Sequence, residues 1–158
     1  MNMPYRKNIL YGVVLFVLVP GSVVLYNNFY RTTKRMEPAT TYVVAGSMRF
    51  EIATTTSAQE RGLGGRINIP NNYGMLFVFK TPKKYGFWMK DMKVPIDIIW
   101  LSDKGVILGV EKSVSPKTYP HVFYPPKSVR YVLETRSGET TERGWSKGDV
   151  VQMPILQF

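Results

Sequence analysis

At 158 residues the chain has room for one domain of ordinary size and an appendage, but not for two domains. Its 21 Lys and Arg against 11 Asp and Glu give a formal net charge of +10, which makes nucleic acid and anionic lipid the first partners to consider. The absence of cysteine excludes disulfides, Fe–S clusters, thiolate zinc sites and cysteine nucleophiles.

Charge and hydropathy set residues 1–36 apart. Five of the basic residues (Arg6, Lys7, Arg31, Lys34, Arg35) and none of the acidic ones fall there. The 16 bases and 11 acids that remain are scattered, with no basic helix and no aromatic RNA-reading signature, so nucleic acid is not an expected partner. Residues 8–30 carry no charge, and the apolar run Ile9–Tyr26 is about long enough to span a hydrocarbon core. It exceeds the usual core of a signal peptide and is followed closely by no small-x-small cleavage site. Tyr26, Phe29 and Tyr30 supply an aromatic belt at its far end. The expected organisation is a short tail (1–8), a transmembrane helix (9–30) kinked near Pro20 and Gly21, a polar linker (31–40) and a folded domain (41–158). The basic flanks nearly balance, so the positive-inside rule does not orient the helix. A chain whose bulk follows its first apolar segment is exported like a signal anchor, and the expectation is a domain on the periplasmic or extracellular side.

From Thr41 the apolar period becomes two. TYVV and MRFEIAT flank Ala45–Ser47 as a hairpin. Ser57 and Glu60 have the spacing of a capping box for a short helix that RGLGGR ends. A buried strand follows at 74–79, then a polar loop at 81–85. Ile96–Leu101 reads as a strand entered through Pro95 and returned by Val106–Val110 around the Ser102–Gly105 turn. Four prolines between 113 and 128 predict a surface loop that carries His121. Val129–Thr135 alternates as a strand, 137–143 reads as a short helix stopped by Gly144, and 150–153 as a last strand. The predicted fold is mainly β: a mostly antiparallel barrel or two-layer fold of six to eight strands with one or two short helices.

Six stretches, ERGLGGR (60–66), GMLFVF (74–79), FWMKDM (87–92), PIDIIWL (95–101), YVLE (131–134) and KGD (147–149), resemble in order and spacing the DUF192 family of small prokaryotic proteins of unknown function. The resemblance covers about residues 41–153. It implies a small β-rich domain, often exported or membrane-anchored, and no accepted activity, substrate or cofactor. Gly64 stands where the family often has a bulkier residue, which implies a looser bend here.

Functional chemistry must therefore come from side chains. Arg61, Arg66, Trp88, Lys90, Asp91, Asp97 and Trp100 form the candidate ligand set, with an arginine bidentate to a carboxylate or phosphate and a tryptophan stacking on a ring, for a small anion or sugar. The structural alternative pairs Asp97 with Arg61 or Arg66 and uses Asp91 to tighten the turn before Pro95. Asp91 and Asp97 are a weak acid–base pair for hydrolysis, because their separation is undetermined by sequence. The lone His121 and the cap-like Ser57 offer no nucleophilic machinery, so no catalytic residue is assigned. Metal ligands are not expected either, and Met75, Met89 and Met92 read as core fillers rather than Cu(I) ligands. No cofactor is expected. The function expected on these grounds is a non-catalytic accessory subunit of a membrane complex, contacting lipid through its helix and other subunits through its domain. The alternative is a small-ligand domain or weak hydrolase built on Arg61, Arg66, Asp91 and Asp97.

Overall fold

The computed structural model describes residues 42–154. The expected transmembrane helix and linker lie outside them, and among the described residues no helix is long and apolar enough to cross a membrane. The strands are β1 (Tyr42–Ala45), β2 (Met48–Ala53), β3 (Tyr73–Lys83), β4 (Phe87–Trp88), β5 (Ile96–Leu101), β6 (Ile107–Val114), β7 (Val122–Phe123) and β8 (Val129–Arg136). Two short helices, α1 (Thr56–Arg61) and α2 (Glu139–Glu142), accompany them. Six strands form one sheet in the order β1-β2-β3-β8-β5-β6, and β4 pairs with β7 apart from it. The sheet ends on β1 and β6 and is not closed, so the barrel form of the prediction gives way to an open sheet. It is also mixed, since β2 and β3 run parallel while the other neighbours are antiparallel. Parallel strands require a crossover, and residues 54–72, with α1 in them, provide it.

Both faces of the sheet are buried. Met75, Phe77, Ile96, Ile98, Trp100 and Val132 belong to one apolar cluster, and Phe50, Leu76, Ile99, Leu101 and Leu133 to another. Alternation along β3, β5 and β8 sends neighbouring residues to opposite clusters, which is why all six residues of β5 are buried. The first cluster is covered by Leu63 beyond α1 and by Phe87 of β4. Phe87 stands edge-on to Phe77 (4.8 Å between centroids) and Trp100 (5.4 Å), binding the small sheet to the large one. The second cluster is covered by Val151, Trp145 and Met153 of the C-terminal segment.

Several elements differ from the sequence reading. The cap of α1 is Thr55, whose hydroxyl accepts from the Ala58 N–H at 3.2 Å, so Ser57 lies inside the helix. Gln59 then pins α1 to the sheet by donating to the Ala53 and Val78 carbonyls at 3.1 and 2.9 Å. β3 runs on through the predicted polar loop to Lys83. The proline-rich segment begins as the end of β6, forms a 3₁₀ turn at Pro116–Thr118 and supplies β7, with His121 edge-on to Phe123. The predicted last strand is reduced to one bridge between Val106 and Val150.

Asp97, fully buried in β5, forms no ion pair with Arg61 or Arg66 among the described residues. Its carboxylate accepts from the N–H groups of Ser113 (2.8 Å), Gly138 (3.3 Å) and Thr140 (3.0 Å) and from the Thr140 hydroxyl (2.6 Å). Gly138 is the N-cap of α2 and makes no side-chain cap bond, so Asp97 serves from across the sheet the role a local cap residue would have. Removing it leaves three buried or half-buried N–H groups without their acceptor. Asp97→Ala is expected to lower the unfolding free energy by about 3 kcal/mol or more in urea titrations, and Asp97→Asn, which keeps one acceptor oxygen, by less. A loss below about 1 kcal/mol for the alanine variant would refute this account.

Candidate functional site

The candidate side chains divide into two groups. Arg66, Asp97 and Trp100 are spent on structure. Arg66 donates to Glu51 (2.6 Å) and to the Tyr73 hydroxyl (2.5 Å), and that hydroxyl also bonds Glu51. Burial and the bond to Glu51 raise the Tyr73 pKa far above the ordinary phenol range, so it stays protonated. The ion pair predicted for an arginine of the glycine bend thus exists, but its acid is Glu51 and not Asp97. Trp100 lies in the first apolar cluster at 1% exposure and presents no surface to a ligand.

Arg61, Trp88, Lys90 and Asp91 come together instead. Asp91 takes a left-handed backbone (φ 58°), which Asp tolerates better than most residues, and its carbonyl accepts from the Gly65 N–H at 2.9 Å. That bond ties the turn before β5 to the bend after α1. Gly64 is tightly enclosed: a Cβ there would stand 2.7 Å from the Arg61 carbonyl oxygen. The bend is therefore closely packed rather than loose, because two backbone segments cross at Gly64.

Between this junction and the small sheet opens a cleft of about 200 Å³. Its mouth carries Glu60, Arg61, Trp88 and Lys90, and Trp88 is 43% exposed. Its walls are Leu63, Phe79, Tyr85, Phe87 and Met92, with the Tyr85 ring stacked on Phe79 at 3.6 Å. A shallower depression beside it is lined by Ser57, Glu60, Arg61, Gly64, Gly65, Lys90 and Asp91.

Within the cleft lies an acid of the YVLE stretch that is absent from the candidate ligand set. Glu134 of β8 is 4% exposed and lines the cleft. It sits opposite Ile98 of β5 and Met75 of β3, on the apolar face that Phe77 and Val132 share. The Leu63 N–H donates to its Oε2 at 3.2 Å. Gly62 permits that approach: with φ 53°, a Cβ at this residue would lie 3.0 Å from the carboxyl and 3.3 Å from the Phe77 ring. Burial pushes the Glu134 pKa up to about 7, against the opposing effects of the Leu63 N–H and the Arg66 charge. The signal that would have found it is the one that singled out Asp97, an acid inside an apolar strand.

This shift has a definite sign. The folded pKa lies above the ordinary 4.5, so folding takes up a proton between those values. The stability contributed by the neutral carboxyl is complete below about pH 4.5 and is lost as pH rises through about 7. Glu134→Gln is therefore expected to flatten the fall in unfolding free energy between pH 5 and pH 8 by about 2 to 3 kcal/mol, measured by urea denaturation at both pH values. A variant with the pH dependence of the wild type would show that another group titrates.

Residues 39–153 match the family model DUF192, described as Uncharacterized ACR. Two solved structures have a similar fold. One is a "putative transcription regulator" from Sinorhizobium meliloti 1021, with TM-score 0.63 and 27% identity, covering 69% of this chain and 88% of that one. The other is a protein of unknown function from Novosphingobium aromaticivorans DSM 12444, with TM-score 0.61 and 26% identity, covering 69% of this chain and 80% of that one. No curated protein matches.

Proposed function

The chain belongs to the DUF192 family, and on that premise we propose that its domain is a non-catalytic small-ligand binding module, held at the outer face of a membrane by the apolar N-terminal segment. The observation that carries the binding reading is the cleft with the buried carboxyl of Glu134 in its wall and the half-exposed indole of Trp88 at its mouth. Apolar walls with a few convergent polar groups, one of them of shifted pKa, are how small-molecule sites are usually built. Binding is favoured over catalysis by what stands beside the acid. The group bonded to Glu134 is a main-chain N–H, and among the described residues neither a histidine nor a second buried acid lines the cleft to share a proton transfer.

The tether rests on the sequence: an uncharged stretch at 8–30, basic residues on either side and aromatic residues at its far end. A module so attached works as an accessory subunit, presenting its cleft beside a membrane complex. The surface side chains Ile67 (84% exposed), Tyr124 (59%) and Val150 (64%) are apolar or aromatic positions available for contact with other subunits.

The test uses the full chain in mild detergent. Thermal unfolding with a panel of sugars, carboxylates, phosphates and amino acids is expected to show a rise in Tm of several degrees for at least one class. Trp88→Ala should abolish that rise, read against the variant's own unliganded Tm because the indole is only half-exposed. A panel with no responding class, or a response that survives Trp88→Ala, would sink the cleft reading. A chain that carbonate washing strips from membranes would sink the tether.

A further inference from the structure

The cleft is polarised along its depth. Glu134 stands in its buried wall among aromatic rings, and the exposed groups at its mouth include two bases, Arg61 and Lys90, against one acid, Glu60. A carboxyl so placed is met by one N–H donor, and leaving its charged form there without a further partner costs several kcal/mol. A hydroxyl group supplies one more hydrogen bond. An ammonium supplies that bond together with the compensating charge, and the aromatic residues Phe79, Tyr85 and Phe87 that line the same cleft suit a cation further. A simple amine would nevertheless be repelled at the mouth, where an anionic group finds the Lys90 ammonium.

We infer that the cleft binds a small zwitterion, with its ammonium bonded to the Glu134 carboxylate and its carboxylate at the mouth on Lys90. The inference rests on the reading of this cleft as a ligand site and names its ligand class. It also fixes the direction of the pH response. The charged and titratable groups around Glu134 are Arg66 behind the bend, Glu60 and Arg61 from α1, and Tyr85 and Lys90 from the segments flanking β4. The residues opposite it in β3 and β5, Met75 and Ile98, do not titrate. An alkyl ammonium keeps its charge through neutral pH. Glu134 is then the group whose deprotonation binding requires, and affinity must fall as pH drops through about 7. A neutral sugar or a simple anion does not require that deprotonation.

Isothermal titration of the full chain in detergent tests this with ω-amino acids from glycine to 6-aminohexanoate, each beside its matched alkylamine and alkanoate, at pH 6 and pH 8. At least one ω-amino acid is expected to bind tenfold or more tightly than either of its halves. The same compound is expected to bind about tenfold more tightly at pH 8 than at pH 6, the ratio of ionised Glu134 at the two values. Glu134→Gln should remove both the advantage over the alkanoate and the pH step. Lys90→Gln, at an exposed position where folding is not at stake, should weaken the ω-amino acid toward the level of the alkylamine. Alkanoates that bind as tightly as ω-amino acids, affinity that rises toward pH 6, or a Lys90→Gln variant of unchanged affinity would each overturn the inference. A glucoside or inorganic phosphate that binds in a Trp88-dependent manner while no ω-amino acid does would overturn it and leave the ligand-site reading intact. A chain that binds no compound of any class would overturn both.

Discussion

Two carboxylates occupy neighbouring central strands of one sheet and are buried on opposite faces of it, and the cost of taking each out of water governs what surrounds it. Asp97 is opposite Thr135 and Glu134 opposite Ile98, one position apart in the same strand pair. The protein treats them differently. Asp97 collects three main-chain N–H donors and a hydroxyl, and in doing so gathers the end of β6 and the start of α2 onto one point of β5. Glu134 has one N–H donor and an aromatic wall, and burial raises its pKa to about 7. One acid is a structural knot and the other is the unusual group in the cleft.

Another buried acid, Glu51, explains why Arg66 is not a ligand residue. It lies in β2 beside Tyr73 of β3, and Arg66 closes over both from the crossover. Arg49 and Arg66 also stand 5.3 and 5.5 Å from the Tyr73 ring centroid. This cluster holds the far end of the crossover against the sheet, while Gln59 holds its beginning. Between the two anchors the chain passes Gly62 and Leu63, the residues that touch Glu134. The position of the cleft therefore follows from how the crossover is fastened, and Gly62 and Gly64 are needed where the backbone comes within van der Waals contact of an acid or another backbone.

Much of the strand content was readable because alternation is a strong signal in β2 and β8 and because β-branched and aromatic residues crowd β5 behind Pro95. Partners were less readable. Asp97 is held by donors from residues 113, 138 and 140, and main-chain N–H groups leave no mark in a side-chain code. The sequence placed Arg66 beside a buried acid but offered no means of choosing Glu51, since that choice depends on a parallel pairing between β2 and β3 that periodicity does not reveal. Among the candidates, Arg61, Trp88, Lys90 and Asp91 cluster because FWMKDM and RGLGGR cross at Gly64, a contact between segments more than twenty residues apart. The short β7 was hidden among prolines, because what makes it a strand is its partner β4 and not its own composition.

The parallel pair has a consequence for how this molecule folds. The hairpin β1–β2 is local and can form by itself in microseconds, but its attachment to β3 waits for residues 54–72 to close over the sheet. Pairing of β3 with β8 spans a still longer stretch of chain, and it sets Glu134 in place. The cleft thus has no precursor in any single supersecondary unit. It comes into being at the step where the hairpin, the crossover and the C-terminal strand dock together, so a ligand held there would bind only the completed fold.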